Sequence, residues 1–297
     1  MQKPHVNFFV PGYSKCGTTT FCSLLADHPE IFIPEIKEPN FFAHAWGKGW
    51  GWYAKQFEGS QNMVVGEGST FYTAATTEEA ASDRILEFYP ESKFFFIARN
   101  PITRIESSYR EHHHSGHHYG VHVPLDLEKT LREFPNIIDD TSYWSRLKPW
   151  RKKFGDDRIH ILFFEDLIRD QQNELEKCFD FLGVDSSVQI SGSDRKLNPG
   201  SKKCYDTDLM RWIRTHSASA KAYQWAPRKI RRSMDQNTLF RKPFDKAIEW
   251  SPSALQYTMD KVESEAKSFL EFAGKPADYW DFEPRARQSA TPMARAA

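Results

Sequence analysis

Residues 6–20 read Val6-Asn7-Phe8-Phe9-Val10-Pro11-Gly12-Tyr13-Ser14-Lys15-Cys16-Gly17-Thr18-Thr19-Thr20. The apolar first half predicts a buried strand that ends at Pro11-Gly12, and the residues after Gly17 predict a helix. A strand, a small-residue loop and a helix N-terminus form an anion site, because amides of the loop and of the first helical turn point inward and the helix dipole adds positive charge. Lys15 supplies a full charge, so the stretch predicts phosphate or sulfate binding.

The glycine spacing of this loop separates it from a nucleoside-triphosphate site. Gly12 and Gly17 have the separation of the motif G-x-x-x-x-G-K-[ST], but Thr18 stands where that motif has lysine. The lysine of this loop, Lys15, lies two residues before the second glycine instead. A kinase or nucleotide hydrolase therefore lacks its signature here. An ordinary βα turn, with glycine and threonine at the start of a helix, is the remaining alternative.

The length of the chain allows one large α/β domain or two small ones. It has 297 residues, 39% of them hydrophobic and 14% aromatic, which is enough for a large core. Lysine plus arginine and aspartate plus glutamate both total 40, so the overall charge gives no reason to expect nucleic acid or an anionic membrane as partner. The four cysteines show no C-x-x-C spacing, and no signal sequence or membrane-spanning run is evident. We therefore expect a cytoplasmic protein.

Polar residues follow two further predicted strands. Met63 to Val65 leads into Glu67, and the apolar run Lys93 to Ala98 leads into Arg99 and a helix that starts at Pro101. In parallel sheets the ligand crevice lies beyond the carboxyl ends of the strands. Glu67 and Arg99 are thus expected at the same edge as Lys15, and Ser107, two turns into the helix, is expected to reach a second anion.

Two other clusters leave alternatives open. The aromatic patch Trp46, Trp50, Trp52, Tyr53 and Phe57 fits a small core under a loop or a binding platform. The histidine-rich segment 112–118 invites a metal site, but adjacent histidines do not share a face and no carboxylate or cysteine pattern completes a ligand set, so we predict no metal. A polar loop that folds over a substrate is favoured instead.

The remaining segments predict alternating strands and helices. Helices are expected at Thr18 to His28, Thr76 to Tyr89, Tyr143 to Phe154, Gln171 to Leu182, Leu209 to His216, Ala218 to Met234 and Ser253 to Ala273, and a further strand at Arg158 to Asp166. The basic run 228–232 is read as a solvated helix face that could draw an acidic acceptor. The pattern indicates an α/β fold: a P-loop-like three-layer domain with a central parallel sheet flanked by helices, plus a helical C-terminal cap.

Taken in order, these segments resemble the sulfotransferases that use 3′-phosphoadenosine 5′-phosphosulfate (PAPS), and most of all the heparan sulfate branch. The matching segments span most of the chain: Ser14 to Thr20 (phosphosulfate loop), Lys37 to Phe42 (K-E-x-x-F-F), Trp52-Tyr53 with Phe57, Glu67 to Tyr72 (E-K-[ST]-x-x-Y), Arg99 to Arg104 with Ser107 and Tyr109 (3′-phosphate signature), and Leu270 to Trp280. Gly68 departs from the branch, which usually carries lysine there. Gly200 to Tyr205 matches the later 3′-phosphate loop only loosely.

The resemblance implies a single sulfotransferase domain over residues 1–283, with an α/β core at 1–190, the 3′-phosphate loop and helical cap at 191–283, and a disordered tail at 284–297. It implies PAPS as donor, without a metal, and 3′,5′-adenosine bisphosphate (PAP) as product. The implied donor-binding residues are Ser14, Lys15, Cys16, Gly17, Thr18, Thr19, Thr20, Arg99, Ser107, Lys202 and Lys203.

In this interpretation Lys15 stabilises the leaving phosphate and Glu67 takes the proton from the acceptor. Acceptor contacts are assigned to Lys37, Phe41, Trp52, His112 and His113, and Lys37 can alternatively orient Glu67. We expect a small-molecule acceptor, since the sequence shows no membrane anchor, with a glycan as the alternative. A P-loop kinase or hydrolase and a non-enzymatic metal- or nucleic-acid-binding module are rival hypotheses. The oligomeric state stays open.

Overall fold

A computed structural model describes residues 3–190, 203–244 and 246–284. The described residues form two compact units. The first unit draws on Met1–Pro101, Ile138–Leu197 and Asp260–Asp281, and the second on Ile102–Ile137, Asn198–Met259 and Phe282–Ala297. The predicted single domain with a boundary at residue 190 stays a prediction, and the predicted tail, apart from Pro284, lies outside the described residues.

The first unit is built on a parallel five-stranded sheet, which confirms the predicted fold class. The strands are β1 (Phe8–Gly12), β2 (Ile31–Phe32), β3 (Val64–Glu67), β4 (Lys93–Ala98) and β5 (Ile159–Phe163), in the order β2-β3-β1-β4-β5. All five residues of β1 are buried, and the three central phenylalanines of β4 are fully enclosed. Strands covered on both faces need such continuous apolar runs. The order places the carboxyl ends of β3, β1 and β4 side by side.

Helices flank the sheet and make up most of the C-terminal part. In chain order the described helices are α1 (Thr18–Ala26), α2 (Gly49–Lys55), α3 (Glu78–Phe88), α4 (Pro101–Ser115), α5 (Leu127–Glu133), α6 (Asn136–Asp139), α7 (Tyr143–Phe154), α8 (Phe164–Arg169), α9 (Gln171–Leu182), α10 (Asp208–Thr215), α11 (Ser217–Trp225), α12 (Arg228–Gln236) and α13 (Pro252–Phe272). Among the described residues, none of these helices has both the length and the apolar character required to cross a lipid bilayer.

The second unit contains a small antiparallel pair, β6 (Cys204–Asp206) and β7 (Arg241–Pro243). Asp206, at the end of β6, is buried and accepts two hydrogen bonds from Arg214 of α10, at 2.8 and 2.6 Å. Arg241 of β7 forms a second ion pair with it at 3.0 Å. A buried carboxylate needs such partners, because an uncompensated charge in the interior is very costly. The two arginines therefore fix α10 against the strand pair.

The prediction that the histidine-rich segment 112–118 forms a loop is wrong. Helix α4 runs through His112, His113 and His114 to Ser115, and a 3-10 turn covers Gly116–Tyr119. His112 Nδ1 lies 2.8 Å from the carbonyl oxygen of Ser108, one turn earlier in the helix. The buried Tyr109 and His113 pack edge to face at 4.5 Å. Packing of one helix face therefore outweighs the polar composition that suggested a loop.

Two predicted boundaries also differ. The single helix expected from Ala218 to Met234 is two helices, α11 and α12, because Pro227 lacks an amide proton and adopts an extended backbone as N-cap of α12. The strand expected to reach Asp166 ends at Phe163, and α8 begins at Phe164. The first difference arises from the proline ring. The second arises from packing against residues that are distant in sequence.

The aromatic patch is part of the packed core and does not form an open binding platform. Phe41 is fully buried and stacks on Tyr53 with ring centroids 4.2 Å apart and planes within 7°. Phe42, Trp46 and Trp50 complete the cluster at centroid distances of 5.0–6.1 Å. The patch stabilises the segment between β2 and β3, and of the two alternatives the packing role is the one that the structure supports.

Candidate active site

The loop after β1 combines buried anchors with partly exposed polar groups. Cys16 is fully buried, whereas Ser14 and Lys15 are partly exposed. Lys15 adopts φ 67° and Gly17 φ 94°, so the chain passes twice through the left-handed region before α1 starts. At Gly17 a Cβ would lie 2.3 Å from the ring of Phe164, which adds a steric requirement for glycine. The geometry turns the first amides of α1 towards the loop.

Lys37 reaches this helix N-terminus from a distant segment. Its ammonium group donates to the hydroxyl of Thr18 at 3.2 Å and to that of Thr19 at 3.3 Å, and it pairs with Glu38. The side chain is 17% exposed. Helix amides, two hydroxyls and an ammonium group thus converge, which is the donor set that a sulfate or phosphate group prefers. The sequence had assigned Lys37 to the acceptor or to Glu67, and the structure places it at the loop.

Glu67 ends β3 and is fully buried. Burial raises the pKa of its carboxyl group to about 7, while the neighbouring hydroxyls of Tyr72, Tyr53 and Ser69 lower that pKa by a smaller amount. None of these hydroxyls makes a hydrogen bond of standard geometry with either carboxyl oxygen, so among the described residues the group has no hydrogen-bond partner. A carboxyl group with a pKa near 7 is suited to accept a proton at neutral pH.

Arg99 lies directly after β4, and its neighbours connect it to the loop. Its guanidinium group sits 4.9 Å from the ring centroid of Phe164, the residue that also contacts Gly17. The hydroxyl of Tyr143 donates to the carbonyl oxygen of Arg99 at 2.7 Å and lies 3.3 Å from the sulfur of Cys16. Phe164 and Tyr143 therefore join the β1 loop and the end of β4 at one edge of the sheet.

Comparison with known proteins identifies the family of the chain that carries this site. A family model described as "Sulfotransferase domain" matches residues 6–209, which include β1, its loop, Glu67 and Arg99. The chain belongs to the sulfotransferase family. The resemblance predicted from the ordered motifs is thereby confirmed, including its likeness to the heparan sulfate branch.

Curated relatives of this sulfotransferase are distant. It is 28% identical over 182 residues to the mouse heparan sulfate glucosamine 3-O-sulfotransferase 3A1, which covers 58% of this chain and 44% of that enzyme. A membrane-associated sulfotransferase, kil1 of Dictyostelium discoideum, is 31% identical over 35% of the chain and 22% of the relative. A rat carbohydrate sulfotransferase 15 is 23% identical over 61% of the chain and 44% of that protein. The chain spans less than half the length of these relatives.

A solved structure supports the fold. The sulfotransferase from Alicyclobacillus acidocaldarius superposes with a TM-score of 0.55 at 23% identity, over 78% of this chain and all of that chain. At this identity the likeness concerns the fold.

Gly68 is the residue at which the chain departs from the heparan sulfate pattern that it resembles. A Cβ at residue 68 would lie 2.6 Å from the sulfur of Cys22 and 3.2 Å from Cε of Lys37. The missing side chain leaves the space through which Lys37 passes on its way to Thr18 and Thr19. A side chain at residue 68 therefore requires a shift of Cys22 and a smaller one of Lys37.

The other predicted site residues lie in the second unit or in the core. Ser107 is partly exposed on α4, and the buried Lys203 pairs with Glu111. Burial lowers the pKa of His113 to about 4, so this imidazole is neutral at pH 7. Lys202 lies outside the described residues, as do Gly200 and Ser201 of the segment predicted to be the 3′-phosphate loop, whereas Lys203 to Tyr205 are described.

Among the residues predicted to contact the acceptor, Phe41 belongs to the enclosed aromatic cluster, and Trp52 is half-buried with the ammonium group of Lys48 over its ring at 4.0 Å. In the described part of the chain, no three histidine, cysteine, aspartate or glutamate side chains are grouped as ligands of a metal ion. The four cysteines all lie in described segments and form no disulfide.

The sequence predicts no role at the site for Tyr143 or Phe164. Tyr143 was recognised only as the start of an amphipathic helix, and Phe164 as part of a strand. Their function comes from contacts with Arg99, Cys16 and Gly17 across more than forty residues. No local pattern in the sequence carries that information.

Proposed function

We propose that this chain transfers a sulfuryl group from PAPS to a hydroxyl or amine of an acceptor. The observation that carries the proposal is the ammonium group of Lys37 on the hydroxyls of Thr18 and Thr19, at the N-terminus of α1 in a sulfotransferase-family loop. A phosphosulfate group at this point would meet backbone amides, hydroxyls and a cation at once. This arrangement is independent of the resemblance, which had assigned Lys37 elsewhere.

The proposed reaction is an in-line displacement at sulfur. The acceptor oxygen or nitrogen forms a bond to sulfur, and the bond from sulfur to the 5′-phosphate oxygen breaks. The electron pair stays on that oxygen, and PAP leaves. In this proposal Lys15 and the amides of Gly17 to Thr20 stabilise the developing negative charge, which lowers the barrier because the interaction strengthens in the transition state. Lys37 adds a second cation at the same helix end.

Glu67 is the proposed base for the proton that the acceptor loses. Its pKa of about 7 leaves a substantial fraction ionised at neutral pH. The carboxyl group is fully enclosed in this conformation, so an acceptor reaches it only after a local displacement of the side chains that cover it.

Arg99 is the proposed partner of the 3′-phosphate of the donor. Its position at the end of β4 and its contact with Phe164 support this role, because Phe164 also packs against the loop. The roles of Ser107, Lys202 and Lys203 in the same contact rest on the sequence resemblance. A donor held at both phosphates is fixed in line for transfer.

The acceptor class is the least constrained part of the proposal. We retain a small-molecule hydroxyl or amine as the first candidate. A carbohydrate hydroxyl is the second, and the observation in its favour is that the relatives include enzymes named for heparan sulfate glucosamine and for carbohydrate.

Radiolabelled PAPS and two acceptor sets, glycans and small phenols or amines, test the proposal. We expect labelled product and PAP in equal amounts, a rate that rises with pH through about 7, and a loss of about 100-fold in Glu67→Gln. Magnesium-dependent ATP turnover without transfer from PAPS would instead support the kinase or hydrolase hypothesis. Full activity of Glu67→Gln would place the base elsewhere.

A further inference from the structure

The second unit contains a cavity of about 1220 Å³ that is lined in part by the basic run 228–232. The 3-10 turn Gly116–Tyr119 contributes His117 and His118 to its lining, and α10, α11 and α12 contribute the rest apart from two residues after the turn. The helical lining residues all lie beyond residue 209, where the match to the family model ends. The helical wall of the cavity therefore lies outside the matched range, whereas His117, His118, Gly120 and His122 lie within it.

Helix α12 turns one polar face to the cavity. Arg228, Arg231, Arg232 and Asp235 line it, and their spacing of three, four and seven residues from Arg228 places them on a single helical face. Helix α11 contributes a face with the same spacing. The break at Pro227 separates the two helices and allows both faces to turn towards the cavity.

The lining is strongly basic. Five permanent cations line the cavity, namely Arg214, Arg228, Lys229, Arg231 and Arg232, and Asp235 is the only carboxylate among its lining residues. Asp235 is already engaged by Arg214, which also holds Asp206. The four cations of α12 therefore face a cavity that offers them no further carboxylate, and such a concentration of charge attracts anions.

Buried polar atoms of the lining have no protein partner. Among the described residues, both ring nitrogens of His117 and Nε of Arg231 are buried without a hydrogen-bond partner. Buried polar atoms in folded proteins are nearly always hydrogen-bonded, to protein, water or ligand. The two residues that carry these atoms, His117 and Arg231, both line the cavity.

We propose that this cavity binds a small anion that carries two or more adjacent phosphate or sulfate groups. Guanidinium groups pair with such oxyanions through two parallel hydrogen bonds, and three arginines on one helix face can engage more than one group. The volume far exceeds that of a single ion with its water. The cavity is formed by residues of the second unit alone, so the inference does not depend on the donor site.

Inorganic pyrophosphate is the probe, titrated by calorimetry into the full chain with saturating PAP present to fill the proposed donor site. We expect one remaining pyrophosphate site. The double variant Arg228→Gln/Arg231→Gln should weaken that binding by about tenfold or more, because two charge-assisted contacts are lost. Lys221→Gln is the matched control, since Lys221 is an exposed cation of α11 outside the lining, and should stay within about twofold of wild type.

No pyrophosphate binding to the wild type, unchanged binding in the double variant, or an equal loss in Lys221→Gln would each overturn the proposal. If the double variant does not fold, phenylglyoxal labelling of the wild type followed by mass spectrometry decides. Pyrophosphate should then protect Arg228 and Arg231, and no protection overturns the proposal. If PAP itself does not bind, the donor hypothesis fails, but the comparison of variants with pyrophosphate alone still tests the cavity.

Discussion

At the scale of single residues, the contacts of Lys37 change the role that is proposed for it. The ammonium group of Lys37 contacts two threonine hydroxyls at the N-terminus of α1, next to the loop after β1. Its neighbours in sequence, in contrast, pack in the aromatic patch. In the proposed reaction Lys15 and Lys37 supply two cations from separate segments to one site. Electrostatic groups that are fixed before the reaction cost no reorganisation during it.

Lys37→Ala should lower turnover of PAPS by about 100-fold, because a cation at the developing charge is removed. Steady-state kinetics with PAPS measures this effect. Lys55→Ala, which removes an exposed lysine at the end of α2, is the control and should leave turnover unchanged. Activity of Lys37→Ala within about threefold of wild type would restrict Lys37 to a packing role.

Gly68→Lys, which introduces the residue usual in the related branch, should destabilise this chain by about 1–3 kcal/mol. The cause is the collision of the new Cβ with the sulfur of Cys22 and with Lys37. Urea unfolding measures the loss. Adding Cys22→Ala removes the sulfur and should recover part of the stability. If the single variant is as stable as wild type, the steric explanation for Gly68 is incorrect.

At the scale of elements, Tyr143 at the start of α7 links the loop after β1 to the end of β4. Tyr143→Phe should weaken PAP binding by about tenfold, because the carbonyl of Arg99 loses its hydroxyl donor and the end of β4 loosens. Calorimetric titration with PAP measures the change. Tyr89→Phe is the matched control, since its hydroxyl donates to the carbonyl of Pro4 at 2.8 Å, near the start of β4. Equal losses in both variants would indicate general destabilisation.

The elements that the sequence predicted correctly are those whose signals are local. β4 is a continuous apolar run, and α7 and α9 end at Phe154 and Leu182 as predicted, each followed by a glycine C-cap. The elements predicted wrongly depend on distant packing. His113 joins a helix because Tyr109 packs on it, and Phe164 leaves the strand to cover Gly17. Only contacts between remote segments distinguish these cases.

The same distinction between local signals and distant contacts applies to the residues of the site. Lys15, Glu67 and Arg99 are identified because they follow apolar runs that predict strands of one parallel sheet. The structure places Lys15 and Arg99 after the ends of β1 and β4, and Glu67 is the last residue of β3. Their chemical roles stay predictions. The reach of Lys37 to Thr18 could not be predicted, because it depends on the space left by Gly68.

At the scale of the whole molecule, the buried Glu67 should make stability fall as pH rises. Burial raises its pKa from 4.5 to about 7, so between these values the unfolded chain releases a proton that the folded chain retains. Folding is therefore penalised progressively from about pH 4.5 to about pH 7, by about 3 kcal/mol in total, and the penalty is constant above that range.

Glu67→Gln should remove this penalty. Relative to wild type, the variant should gain up to about 3 kcal/mol in free energy of unfolding between pH 5 and pH 8, measured by urea unfolding at both values. Glu78, whose pKa burial also raises to about 7, is present in both proteins, so its contribution cancels in the difference. A difference that does not change with pH would show that Glu67 titrates normally.

The most direct test of the central claim, that the β1 loop and Arg99 hold the PAPS donor, is equilibrium binding of PAP without magnesium. Wild type and Lys55→Ala should bind PAP equally, while Lys15→Ala and Arg99→Ala should each bind at least about tenfold more weakly, because each removes a charge-assisted contact to a phosphate. Unchanged PAP affinity in both variants, or binding of magnesium-ATP in preference to PAP, would contradict the account.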